Sequence, residues 1–174
     1  MELSDFVLKH KKLKDEIRLT KQFFKASRVY GAESYIMGFS GYVCEILTIY
    51  YGSFLNLIQA VPKWKDKEVI DIKRYYRGKN VFAEINKSKL NSPVIVIDPV
   101  QKDRNAAAAL DHEKFEIIKH KAKEFMKNPS KEFFEIKTPT EQDIKKEFGS
   151  NLVMLKAAPL KKKTDVAGAK MLKA

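Results

Sequence analysis

The stretch from Ser40 to Val61 constrains this chain most, because it reads as two amphipathic helices meeting at one joint. Val43, Ile46, Leu47 and Tyr50 recur at i, i+3, i+4 and i+7, which puts them on one helical face. Phe54, Leu57, Ile58 and Val61 repeat that spacing. Ser40 and Ser53 are good N-caps, and Phe39 stands where it can staple onto Cys44. Gly52 stops the first helix and Pro62 closes the second. Two apolar stripes so close together need covering, so the rest of the chain must wrap a helical core.

The flanking sequence supplies the cover. Residues 4–25 predict a helix capped by Ser4, with Leu13, Ile17 and Phe24 on its inner side. Gly31 then permits a turn. The middle third changes character: Glu68–Lys73 and Val81–Ile85 alternate weakly and predict short strands. Val94–Ile97 is a continuous apolar run and predicts a buried strand ending at Asp98–Pro99. A helix is expected to start over 104–110, with Asp111 capping its continuation to Phe125. After the break at Asn128–Ser130, a strand near 133–137, a helix near 140–148 and a strand at Leu152–Ala157 are expected. The expected class is α+β, mostly helical, with one domain over 1–128 and an incomplete small α/β unit over 129–174.

Charge narrows the partner. Lysine and arginine outnumber aspartate and glutamate by 34 to 22, a net charge of +12. Such an excess points to a polyanion, with a lysine-rich solubilising surface as the ordinary alternative. The single cysteine, Cys44, excludes an internal disulfide and suits a reducing compartment. No apolar run approaches the roughly 20 residues that span a bilayer, and no secretory leader is evident. The expectation is a cytoplasmic protein without a membrane partner.

Three polar residues stand out. Lys21, near a helix end, can neutralise a phosphate as a point charge. Tyr30 offers a hydroxyl beside Gly31–Ala32, where the backbone turns closely. Arg104 follows the apolar strand on a loop, where its planar fork suits a base edge or a phosphate. Their ordinary readings are a surface lysine, a core tyrosine and an arginine paired with Asp98 or Asp103. Ser40 and Gly41, in the GFSG run from Gly38, would present backbone N–H groups at a helix N-terminus, which is an anion site or simply a capping loop.

Catalytic and metal-ligating residues are not evident. Gly52–Ser53 followed by Asp66 and Glu68 matches, on spacing, the acidic pair of polymerase-β-type nucleotidyltransferases. The physics disagrees: Lys65 and Lys67 occupy the positions that should be buried, and Gly52–Ser53 opens a helix. His10, His112 and His120 form no cluster with Cys44 at ligand spacing.

Several segments together resemble the archaeal CCA-adding enzymes, the class I tRNA nucleotidyltransferases. They are RLTK at Arg18–Lys21, VYGAE at Val29–Glu33, GFSGY at Gly38–Tyr42, and Cys44–Glu45 with YGSF at Tyr51–Phe54. Ile97–Pro99 with Arg104–Asn105 and an alanine run, Asn128–Ser130 with Phe133–Phe134, and the run from Gly149 to Leu155 continue the likeness. The resemblance implies the family's central, substrate-binding domain and the start of the next. It implies that Lys21 and Tyr30 touch the triphosphate of incoming CTP or ATP and that Arg104 reads the base. Ser40, Gly41 and Asp98 would support them, and basic surfaces would hold the tRNA 3′ end. It also implies Mg2+ in the complete enzyme, bound by carboxylates of a head domain rather than by this chain. Where the family has a histidine before the first central helix, this chain reads Met1–Leu3, and the second aspartate-proline is replaced by Gln101–Lys102. The expected function is therefore one part of a template-independent CCA-adding enzyme, inactive alone and completed by a separate head-domain polypeptide. The alternative is a stand-alone, non-catalytic tRNA- or nucleotide-binding paralogue.

Overall fold

The computed structural model describes residues 10–137 and, beyond them, Lys146. Lys137 ends the first of the two compact units into which the chain divides. The Ser4 cap with residues 4–9 of the expected first helix, the helix near 140–148 as a span, and the strand at Leu152–Ala157 lie outside the described residues.

A short 3-10 turn, Lys11–Leu13, leads into helix α1, Lys14–Ala26. Ile17, Thr20, Phe23 and Phe24 form its buried face. Helix α2, Gly41–Tyr51, and helix α3, Phe54–Ala60, form where expected, with 3-10 turn Val61–Lys63 closing the pair. The α3 stripe is buried as expected, but α2 departs from its stripe: Tyr50 is exposed, while Cys44, Thr48 and Ile49 are buried, because this helix is covered on most of its circumference. The caps are those the sequence predicts: Ser40 Oγ accepts from Val43 N at 3.1 Å and Ser53 Oγ from Asn56 N at 3.1 Å. Gly52 takes the left-handed conformation at φ +81°, which lets the chain leave one helix and enter the next. A carboxylate of α1 joins this corner, as Glu16 accepts from Phe54 N at 2.8 Å.

Two three-residue strands pair in parallel, β1 at Glu68–Ile70 and β2 at Val94–Val96. Side chains alternate across a strand, and β2 uses both of its faces. Val94 and Val96 enter the main core with α1, α2, α3 and the long helix α5, His112–Lys127. Ile95 and Ile97 enter a smaller cluster with Val81, Ile85 and Leu90. Asp98 thus leaves the carboxyl end of a strand packed on both sides.

Among the described residues the expected first helix is a 3-10 turn over Lys11–Leu13 and an α-helix only from Lys14, and the expected strand Glu68–Lys73 stops at Ile70. Three further elements differ in kind, each for an identifiable reason. Val81–Glu84 is a short helix, α4, rather than a strand. Asn80 caps it by accepting from Phe82 N at 3.0 Å, and Val81 and Ile85 share a helical face that is buried. Residues 104–110 form turns rather than the start of a helix. Here the buried Asn105 side chain competes with helical bonding. Its Oδ1 accepts from Val96 N at 3.0 Å and Ala107 N at 2.9 Å, while its Nδ2 donates to Lys89 O at 2.8 Å and Ser92 Oγ at 2.9 Å. Finally, Lys131–Phe134 is a 3-10 turn, not a strand. Successive strand residues face opposite ways. Phe133 and Phe134 instead both pack on Phe23, which a helical turn allows.

Asn105 yields one prediction. Asn105→Ala leaves Val96 N, Ala107 N, Lys89 O and Ser92 Oγ without their partner. A loss of about 2 kcal/mol in urea-unfolding stability is expected. A change below about 0.5 kcal/mol would show that the four bonds do not hold the segment.

Candidate nucleotide site

The N-terminus of α2 gathers the candidate residues. Tyr30 lies on a backbone pairing that closes the loop after α1. Gly31 N donates to Phe39 O, Phe39 N to Val29 O and Gly38 N to Gly31 O, each at 2.8 Å. This pairing aims the Tyr30 side chain at the start of α2. A Cβ placed on Gly41 would stand 2.7 Å from the Tyr30 hydroxyl and 3.7 Å from Lys21 Cε. Glycine at 41 is thus what lets a hydroxyl and an ammonium stem approach the helix end, where unpaired N–H groups carry partial positive charge. Ser40 gives its side chain to the cap.

Lys21 is not isolated. Its Nζ donates to Glu45 of α2 at 2.5 Å, and both side chains are largely buried. Lys25, one turn further along α1, lies over the Tyr30 ring with Nζ 4.9 Å from the centroid. Cys44 is fully buried beside this pair, and burial pushes its thiol far above the usual range, so it is no nucleophile.

The second group of residues lies one position along α2. The Tyr42 hydroxyl donates to Asp98 Oδ1 at 3.0 Å. The same oxygen accepts from Val100 N at 2.8 Å and Gln101 N at 3.2 Å. Asp98 Oδ2 accepts from Arg104 Nη1 at 3.3 Å. The Asp98 side chain is 1% exposed, whereas that of Arg104 is 50% exposed. Burial, and then the adjacent Asp98 carboxylate, push the Tyr42 hydroxyl well above the ordinary tyrosine range. It therefore stays a neutral donor. Opposing influences of Arg104 and Glu45 both reach it.

Sequence reasoning named Lys21, Tyr30, Arg104, Ser40, Gly41 and Asp98, and missed Glu45, Tyr42 and Lys25. One signal was available: Glu45 is the only charged residue of α2, and a lone carboxylate in an apolar helix needs a cation.

Asp66 and Glu68 do not act as an acidic pair. Glu68 folds back to accept from Lys65 N at 3.1 Å, while Asp66 Oδ1 lies 3.8 Å from His112 Nδ1. Lys67 donates to the carbonyls of Leu90, Asn91 and Ser92. Among the described residues, no three His, Cys, Asp or Glu side chains converge as a metal set. The carboxylates paired with the site cations, Glu45 with Lys21 and Asp98 with Arg104, are each engaged. The described residues therefore do not fit a bound Mg2+.

Comparison with known proteins bears on this arrangement. The family described as "tRNA nucleotidyltransferase, second domain" matches residues 15–135. The chain belongs to that family. Proteins similar to it include the CCA-adding enzyme of Nanoarchaeum equitans, 48% identical over 109 residues, covering 62% of this chain and 28% of the relative. That of Methanococcus maripaludis strain C7 is 43% identical over 105 residues, covering 60% and 24%. That of Pyrococcus abyssi is 40% identical over 126 residues, covering 68% and 28%. The chain thus matches only about a quarter of the length of these curated relatives. The matched span includes every residue of the α2 site, since Lys21 through Arg104 fall within it. No helix among the described residues is long and apolar enough to cross a membrane.

Proposed function

We propose that this chain is the substrate-binding part of a CCA-adding tRNA nucleotidyltransferase, holding CTP or ATP while the chemistry is supplied by another domain. The observation that carries this reading is the convergence of Tyr30 and Lys21 on Gly41 at the N-terminus of α2. A phosphate there meets a helix dipole, a hydroxyl donor and a lysine within one turn. Glu45 holds Lys21 in place until the more highly charged triphosphate competes for it. Arg104, anchored on one side by Asp98, keeps further N–H donors for a base edge. Basic surfaces hold the tRNA 3′ end through its phosphates. The reaction of the whole enzyme is attack of the tRNA 3′-hydroxyl on the α-phosphate with release of pyrophosphate. The Mg2+ of that reaction and its carboxylates belong to a head domain outside the described residues, and the setting is cytoplasmic.

Titration of the chain with CTP and ATP tests the reading. Tyr30→Phe and Arg104→Ala are each expected to weaken affinity about tenfold, since each removes a hydrogen bond involving a charged group. Unchanged affinity in both variants would sink the site assignment. Addition of a carboxylate-bearing head polypeptide is expected to restore CCA synthesis on tRNA. Retention of tRNA with no synthesis in that mixture would favour a non-catalytic binding protein.

A further inference from the structure

Tyr42 occupies a position that the nucleotide reading does not by itself explain. It directly follows Gly41, which the phosphate-side residues approach, yet its hydroxyl ends on Asp98, the anchor of Arg104. The backbone around Arg104 is fixed independently. Arg104 N donates to Gln101 O at 2.9 Å and Asp98 N to Arg104 O at 3.0 Å. The Tyr75 hydroxyl donates to Pro99 O at 2.8 Å and that of Tyr76 to Lys102 O at 3.0 Å. With the loop clamped this way, the Tyr42 hydroxyl acts on the Asp98 carboxylate and, through it, on the direction of the guanidinium. Among the described residues the Arg104 guanidinium bonds Asp98 Oδ2, and Asp98 Oδ1 carries Tyr42 together with two loop amides. Rotation of the carboxylate would disturb all of these bonds at once.

We infer that Tyr42 is a positioning residue for base selection: through Asp98 it holds the Arg104 guanidinium in one orientation and couples base reading to the phosphate end of the site. The inference rests on the assignment of Arg104 to the base. It makes α2 the shared frame of both halves, since consecutive residues serve the two ends. A shift of the helix start on triphosphate binding is then transmitted to the base reader through one hydroxyl. Selectivity depends on that hydroxyl, while anchoring of the phosphates does not.

The test is titration of wild-type chain, Tyr42→Phe and Asp98→Asn with CTP, UTP and inorganic tripolyphosphate. Tyr42→Phe keeps the ring and removes one hydrogen bond. It is expected to lower the CTP-over-UTP affinity ratio about fivefold while tripolyphosphate affinity stays at the wild-type value and the thermal midpoint falls by only a few degrees, as loss of one hydrogen bond to a charged group requires. Asp98→Asn keeps a side-chain oxygen for the loop amides but drops the charge facing Arg104, and is expected to lower the ratio further. A ratio retained in both variants overturns the inference and leaves the nucleotide reading standing. Parallel loss of CTP and tripolyphosphate affinity in Tyr42→Phe overturns it as well, because Tyr42 would then serve the fold or the phosphates. A wild-type chain that binds CTP and UTP alike removes the assignment of Arg104, and the inference falls with it.

Discussion

Gly38→Ala is expected to lower stability by about 3 kcal/mol or more and to disperse the phosphate half of the site. A Cβ at this position would stand 2.2 Å from Val29 O, 2.8 Å from Val29 C and 3.0 Å from Gly31 O. All three are backbone atoms, so no side chain can swing away to relieve the clash. Relief requires the two runs, 29–31 and 38–39, to separate. Their separation breaks the bonds from Gly38 N, Phe39 N and Gly31 N described above, at a place where Val29 and Phe39 are fully buried. Each buried group left unpaired costs about 1–3 kcal/mol. Tyr30 lies on this pairing, so its hydroxyl should also leave Gly41, and nucleotide affinity should fall with stability. Gly52→Ala is the informative control. No atom lies within 4 Å of its added Cβ, and only the φ of +81° is unfavourable, at about 1–2 kcal/mol. Chemical denaturation of both variants checks the argument. A Gly38→Ala loss no larger than that of Gly52→Ala would show that the loop yields more easily than its hydrogen bonds imply.

The contrast between these glycines also indicates what the sequence could and could not disclose. Gly52 was legible because its role is local: it lies between two helical stripes and ends one of them. Ser40, Ser53 and Asp111 were legible for the same reason, each bonding an amide three residues on. Gly38 and Gly41 matter through atoms of other segments, and no periodicity reveals that. One misread element follows the same division. Residues 104–110 look helical from their alanines, but Asn105 ties them to β2 and to Lys89, 9 and 16 residues away. Lys21 and Arg104 could be singled out as cations. Their partners could be named only for Arg104, because Asp98 is six residues distant while Glu45 is 24. The link from Tyr42 to Asp98 spans 56 residues and had no local sign at all.

Phe23→Ala is expected to cost about 3–5 kcal/mol, the range for a large aromatic removed from a core that cannot collapse around the gap. Phe23 is fully buried, and its ring lies 5.5 Å from those of both Phe54 and Phe125 and 5.7 Å from that of Phe134, centroid to centroid. Phe24 at 6.5 Å and Phe133 at 6.2 Å complete the surround. These rings come from α1, α3, α5 and the 3-10 turn at Lys131–Phe134. Four separate elements therefore lose contacts together, and rigid helices on three sides leave little freedom to close the cavity. Two backbone bonds at the edges of the turn are long. Phe133 N donates to Ser130 O at 3.4 Å and Glu135 N to Glu132 O at 3.2 Å. Its other anchors are Gln22 Nε2 to Phe134 O at 2.6 Å and Arg28 Nη2 to Lys137 O at 3.1 Å. Amide exchange should consequently rise first in residues 131–135 of the variant, before α2 is affected. Phe133→Ala removes a half-buried ring from the rim and should cost clearly less. Equal losses for the two, or a Phe23→Ala loss under about 1.5 kcal/mol, would show that the rings pack as a tolerant cluster rather than around one centre. The expected order ties the end of the first unit to α1, the helix that also carries Lys21. A loosened exit from the domain should therefore reach the nucleotide site through α1, as weaker CTP affinity that accompanies the faster exchange.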